Sequence, residues 1–341
     1  MNRISRNLFL ISMFFLLVFS FGCNKKKELK DVDFRSEMVK FVREISDHAK
    51  LGNSEFLIIP QNGESLVNES GYLQFIDGIG KEDLSYGYDN DGEATQSGIR
   101  TEIATYLDKF VESDKIVLVT DYVFSNSEDF PHYDDATNAK IEDAASYCRL
   151  KSYVSCATVR NLNYLTINSG YEPEVDTIDN VSDIKSFLYY LQPADESNKD
   201  AFINSIAETN FDLVIMDFSI DGITEFTVSD IQKIKESLNQ GNGGYVIAYM
   251  SIGEAEDYRY YWNNEWTKDN GKPSKNAPEW LYQENPDWEG NYKVYYWKDE
   301  WKQIIFGTPS SYLDKIIDLG FDGIYLDIVD AYEYYEDVMG M

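Results

Sequence analysis

A chain of 341 residues that sets 60 Asp and Glu against 30 Lys and Arg, for a formal charge of −30, and holds only two histidines excludes several functions at once. Phosphate repels such a surface, so nucleic acid is not an expected partner, and a His-based zinc site or a Ser-His-Asp triad has only His48 and His132 to draw on. The same charge attracts a cationic ligand, although it also serves plain solubility.

Residues 1–22 carry Arg3 and Arg6, then an apolar run from Leu8 to Phe21, and stop at the box Ser20-Phe21-Gly22-Cys23. This pattern predicts a bacterial lipoprotein signal with the lipid on Cys23. Because Phe21 is bulky for such a box, a plain signal peptide or a membrane anchor is the alternative. Each of these exports the protein, and lipidation holds it on a membrane at a periplasmic or cell-surface face. Residues 23–33 form a charged tether. The roughly 310 residues that follow suit a single (β/α)8 barrel, which takes about 250 residues plus insertions.

The first predicted element is a helix over 34–50, with Asp33 as N-cap and Phe34, Met38, Phe41, Val42, Ile45 and Ala49 on one face. Eight short β-branched or aromatic runs follow: FLIIPQN (56–62), FIDGIG (75–80), KIVLVTDYV (115–123), YVSCATV (153–159), FLYYLQ (187–192), FDLVIMDF (211–218), YVIAYMSI (245–252) and GIYLDIV (323–329). Amphipathic stretches at 101–112, 138–150, 228–238 and 309–319 lie between several of them. Strand-helix alternation repeated eight times is expected to give an α/β fold of the TIM-barrel type, parallel strands inside and helices outside. The first helix has no strand before it, and the last strand has only a short helical tail after it. Pairing these ends makes the barrel circularly permuted, closed through a non-covalent seam. The polar segment 160–185 is then a linker joining what would be free termini. The aromatic-rich segment 255–302, with an extra strand NYKVYYW, is an insertion walling the cleft. Cys148 and Cys156 are expected as buried free thiols, with one disulfide as the alternative.

Polar side chains gather at or just after the strand ends: Gln61, Asn62, Glu82, Asp83, Asp121, Asp217, Ser251, Glu254, Glu256, Asp327 and Asp330. A parallel barrel brings all those ends to one rim. Acids crowded there shift each other's proton affinities, as a paired acid and nucleophile require. The run FDGIYLDIVDAY (321–332) makes Asp327 and Asp330 the first candidates. Tyr258, Trp262 and Trp297 offer faces for sugar rings, or else pack within the insertion. Competing motifs fail: Gly78 and Gly80 begin a dinucleotide pattern that Asp83 breaks, and DNDGE at 89–93 has Gly87 and Gly98 where calcium ligands belong. No metal and no cofactor is expected.

The strings IIPQNGE, DGIGKEDL, VLVTDYV, FDLVIMD, AYMSIGEAEDYRYYW, NYKVYYW and FDGIYLDIVDAYEYYE resemble glycoside hydrolase family 114, the endo-α-1,4-polygalactosaminidase family. In that family's order FLYYLQ opens the barrel, so this chain is rotated by about half a barrel. The resemblance implies one catalytic carboxylate at the end of the fourth strand and one at the end of the sixth, which are Asp327 and Glu82 here. We assign Asp327 as nucleophile and Glu82 as acid/base; on sequence alone Asp330 or Asp217 could replace either. The resemblance also implies that Asp217, Tyr249, Ser251, Glu254 and Asp121 line the cleft, with Gln61 and Asn62 as partners for sugar hydroxyls. Lys298 stands where an acid is expected. The implied activity is an exported, retaining hydrolase of an amino polysaccharide, a cationic partner that suits the acidic chain. A non-catalytic glycan-binding lipoprotein and a hydrolase of another glycan are the alternatives.

Overall fold

The computed structural model describes residues 29–124, 133–166, 177–191, 193, 198–268 and 270–340. The signal segment 1–22, Cys23 with the first part of the tether, and the middle of the 160–185 segment lie outside the described residues. Helix α1 (Phe34–Ala49) starts where Asp33 accepts from Ser36 N at 3.1 Å, and its buried face is Phe34, Met38, Phe41, Val42, Ile45 and Ala49. The chain then alternates through β1 (Leu57–Pro60), β2 (Gly78–Glu82), α2 (Ser97–Val111), β3 (Ile116–Tyr122), α3 (Asp135–Lys151), β4 (Val154–Thr158), β5 (Phe187–Tyr189), α4 (Lys199–Ala207), β6 (Leu213–Met216), α5 (Val228–Ser237) and β7 (Tyr245–Ser251). Three short strands, β8 (Glu254–Glu256), β9 (Leu281–Glu284) and β10 (Asn291–Val294), precede α6 (Asp299–Ile305), α7 (Tyr312–Leu319), β11 (Gly323–Asp327) and α8 (Ala331–Met339).

The fold is mixed α/β with parallel sheets and is barrel-like. All eight expected strands form, but their ladders make two parallel sheets rather than one continuous sheet: β1-β11-β7-β6-β5 and β2-β3-β4. Two causes of the break between β1 and β2 are local. Pro60 has no N–H to give toward β2, and the Ile58 N–H that faces the same way is taken by the Asp77 carboxylate at 2.9 Å. What remains there is a parallel bridge between Gln61 and Gly80, with Asn62 N donating to Gly80 O at 2.8 Å. At the other edge Leu191 N donates to Leu162 O at 2.9 Å.

Burial on both faces separates two apolar layers. Leu57 and Ile59, Leu118 and Tyr122, Val154 and Cys156, Phe187 and Tyr189, Leu213 and Ile215, Ile247 and Tyr249, and Tyr325 form one cluster. They come from β1, β3, β4, β5, β6, β7 and β11 and share the inward parity of their strands. The opposite parity packs under the helices in the larger cluster. Gly80 is forced by this interior: a Cβ there would lie 1.7 Å from the Tyr325 hydroxyl.

The two ends of the described chain meet. β1 pairs in parallel register with β11, from Leu57 opposite Gly323 to Pro60 opposite Leu326. Beside them Arg35 bridges Glu336 of α8 at 2.7 Å, and Tyr296 donates to Phe34 O at 2.8 Å. The 255–302 insertion is an antiparallel sheet ordered β8-β10-β9, whose Trp280, Tyr292, Val294 and Trp301 merge into the larger core. The described parts of 160–185 are not a bare polar linker, since Leu162 and Ile184 are buried in the inner cluster. Cys148 and Cys156 are both buried free thiols.

Candidate active site

Strand parity and strand-end turns together build the site. Gln61, Glu82, Asp217, Tyr249 and Asp327 continue the inward parity of β1, β2, β6, β7 and β11 at the strands' C-terminal ends, and all five line one cavity of about 400 Å3. The residue that follows three of them is left-handed: Asn62 at φ +58°, Asp83 at +63° and Ile328 at +58°. Asn and Asp adopt this conformation at small cost, whereas a β-branched residue pays roughly 1–3 kcal/mol for it. That strain turns the chain sharply after Asp327, and the Ile328 N–H closes onto Asp327 Oδ1 at 2.8 Å.

Glu82 is held by three neutral donors. Gln61 Nε2 reaches Oε2 at 2.6 Å, Asn62 Nδ2 reaches the same oxygen at 3.2 Å, and the Tyr122 hydroxyl donates to Oε1. Gln61 is itself oriented by the Tyr189 hydroxyl, 2.9 Å from its Oε1. Asp327 receives the Tyr249 hydroxyl on Oδ2 at 2.6 Å. Burial, followed by the charge of Glu82, raises the Asp327 carboxyl well above the usual carboxylate range, against the pull of Tyr249 and Ile328 N. Asp330 lines the cavity beside them, and burial together with nearby Glu333 pushes it up to about 7. The floor below is a layer of tyrosines, Tyr122, Tyr189, Tyr249 and Tyr325, in the inner cluster.

The facing wall carries acids with a cation. Arg259 is 3% exposed and sits 2.7 Å from Asp217 and 2.6 Å from Glu256, while the Tyr258 hydroxyl also donates to Glu256. Burial alone would ease a proton off Arg259, but Asp217 and Glu256 hold it charged. Glu254, also on the cavity, takes Asn285 Nδ2 at 2.9 Å and Lys293 Nζ at 3.1 Å.

Several expected positions fall elsewhere. Asp121 is fully buried on the outward parity of β3; its Oδ1 accepts from Ser85 N and Tyr86 N at 2.6 and 2.9 Å, so it shapes the loop after β2, and burial raises it to about 7. Ser251 is buried and donates to Glu254 O at 3.0 Å, away from the cavity. Trp297 packs against Phe34 and Tyr335 at 5.3 and 5.0 Å and lines a second cavity with Tyr295 and Lys298. Trp262 packs on Tyr292 at 4.8 Å inside the insertion. Tyr258 is on the site.

Other residues of the site had no place among the expected ones. Tyr122, Tyr189, Arg160, Arg259, Trp288 and Glu289 all line the cavity. Arg160, whose guanidinium lies 4.1 Å over the Tyr122 ring, is fixed by Asp91 at 2.6 Å and Asp83 at 2.9 Å. The signal for Tyr122 was present: inward parity in KIVLVTDYV falls on the tyrosine, not on the more conspicuous Asp121 beside it. Nothing local marked Arg160, whose partners come from the loop after β2, and although Glu256 stands three residues before Arg259, its other partner Asp217 follows β6.

Residues 192–340 match the model of glycoside-hydrolase family GH114. An uncharacterised protein of Methanocaldococcus jannaschii is 46% identical over 164 residues, which is 48% of this chain and 42% of that protein. Uncharacterised proteins of Thermotoga maritima and Deinococcus radiodurans are 41% and 35% identical over 152 and 138 residues, or 44% and 40% of this chain and 40% and 39% of theirs. The chain thus spans about two fifths of the length of these curated relatives. Asp217, Arg259 and Asp327 lie inside the family match; Glu82 lies outside it.

Proposed function

Since residues 192–340 belong to glycoside-hydrolase family GH114, we propose that the chain is a retaining glycoside hydrolase that cleaves an amino polysaccharide, α-1,4-linked polygalactosamine, between Glu82 and Asp327. The observation that carries this reading is two carboxylates from distant parts of the chain on one cavity, bound only by neutral donors among the described residues. An oxocarbenium-like transition state needs an anion at one face of the sugar and a proton donor at the leaving oxygen, and such a pair can supply both. Residues 34–160, outside the family match, complete the barrel in permuted order in this reading; the pairing of β1 with β11 supports it. The acids of the cavity, with Glu289 and Asp330 free of the Arg259 cluster, favour a cationic chain.

In this reading Asp327 attacks and Glu82 moves the proton. A second reading exchanges the roles and rests on one contrast: Glu82 accepts from three donors, whereas burial favours the protonated form of Asp327. Product analysis on de-N-acetylated galactosamine polymer and on other glycans tests the activity, and the anomer formed first tests retention. With an activated aryl glycoside and azide, a variant lacking the acid/base gives a glycosyl azide of retained configuration, whereas one lacking the nucleophile gives the inverted azide. Polymer bound but never cut favours a glycan-binding protein, and turnover of another glycan replaces the substrate.

Export rests on the sequence of residues 1–22, with lipid on Cys23. Replacement of Cys23 by Ala is expected to move the protein from the membrane to the soluble fraction.

A further inference from the structure

Trp288 differs from the other described tryptophans. Trp262, Trp266, Trp280, Trp297 and Trp301 each stack with neighbouring rings, whereas Trp288 has no ring partner among the described residues and is 50% exposed. A single exposed apolar side chain needs no explanation by itself. This one lines the cavity that holds Glu82 and Asp327, together with its neighbour Glu289.

The turn that carries it is built to hold still. Between β9 and β10, Trp288 N donates to Asn285 O at 3.3 Å, Asn291 N to Trp288 O at 3.2 Å, and Asn285 N to Asn291 O at 2.7 Å. The Asn285 side chain ties the turn to Glu254 of the cavity wall at 2.9 Å. Gly290, at φ +86°, lets Asp257 approach; its carbonyl accepts from Asp257 N at 2.9 Å, and a Cβ would lie 2.8 Å from Asp257 Oδ1. An indole with two rotatable bonds on such a turn loses little entropy when a flat apolar face settles on it. The cavity, at about 400 Å3, sits near the lower end of ligand pockets, which run from roughly 300 to 1,000 Å3. A polymer cut there has to continue over the rim.

On the basis of the hydrolase reading above, we propose that Trp288 is the platform on which a sugar ring outside the cleavage position stacks, with Glu289 beside it to accept from a hydroxyl or ammonium of that ring. The test compares Trp288→Ala and Trp288→Phe with the wild-type full-length chain on α-1,4-galactosamine polymer and on an aryl α-galactosaminide. The aryl glycoside fills the cleavage position but carries no second sugar ring to settle on the turn. For Trp288→Ala the polymer KM should rise roughly tenfold with kcat kept within about twofold, kcat/KM on the aryl glycoside should not change, and Trp288→Phe should restore most of the loss. Titration of Glu82→Gln with galactosamine oligosaccharides should change tryptophan emission, and Glu82→Gln/Trp288→Phe should lose most of that change.

An unaltered polymer KM, or an equal loss on both substrates, overturns the platform while the hydrolase reading stands. Wild-type chain that cuts glycan and still does so as Asp327→Asn sinks the catalytic pair, and the polymer KM still judges Trp288. Wild-type chain that neither cuts nor binds these glycans overturns both.

Discussion

The two walls of the cavity use the same side chains to opposite ends. On one, Asp217 and Glu256 share Arg259, a buried guanidinium within 2.7 Å of each, and their charges are spent inside the protein. On the other, the hydrogen bonds to the Glu82 and Asp327 carboxylates among the described residues come only from amides, hydroxyls and a backbone N–H, so no cation neutralises them directly. Both pairs end inward-facing strands or the loops just after them. The difference lies in whether a cation reaches the acids, and under the proposed function it separates a wall that fixes shape from the wall that would carry proton transfer and attack.

The contrast breaks first if the open pair proves dispensable. Glu82→Gln and Asp327→Asn should each lower kcat/KM on a cleaved glycan by about a thousandfold or more, with circular dichroism and Tm close to wild type; activity within a few fold of wild type would remove the distinction. The compensated wall should answer in stability instead. Arg259→Met strands two buried carboxylates and should cost about 3–5 kcal/mol in urea unfolding. Arg259→Lys should recover little, because one ammonium cannot span both acids as a planar guanidinium does; a normal unfolding midpoint for Arg259→Met would show that the ion pairs are not what holds this wall.

Smaller effects sharpen the same comparison. Tyr249→Phe deletes the 2.6 Å bond to Asp327 and should lower kcat by roughly ten- to a hundredfold without changing Tm; an unchanged kcat means the hydroxyl does not tune Asp327. Asp330 gives the most pH-dependent signal. Its folded value of about 7 lies above the usual 3.8, so between those values the folded chain binds more protons than the unfolded one, and its stability falls as pH rises. Asp330→Asn should therefore lie close to wild type near pH 4 and become progressively more stable than wild type as pH rises toward 7; a constant difference across that range in chemical denaturation would exclude burial of the charge.

Much of the framework was legible in the sequence because it depends on short-range patterns. The face of α1 and its Asp33 cap follow from helical spacing, and the eight apolar runs needed only length and β-branched content to be recognised. Asp327 and Glu82, which line one cavity, were singled out through their place at strand ends and through long matching strings. Phase within strands buried on both faces was harder. In β3 neither side of the strand is polar enough to announce itself, so Asp121 was expected in the cleft where Tyr122 stands. Likewise Trp297 and Trp288 look alike as letters; the turns around them and the packing of Phe34 decide which is buried against the core and which faces the cavity.

By itself the sequence determined which segments become strands and helices, that acids crowd the strand ends, and that the surface is strongly negative, all properties carried by neighbours along the chain. Only the tertiary structure decided which acids keep an uncompensated charge. Arg259 meets Asp217, and Tyr122 meets Glu82, across different strands, and the cost of burying a charge depends on partners brought by folding rather than on the residues beside it.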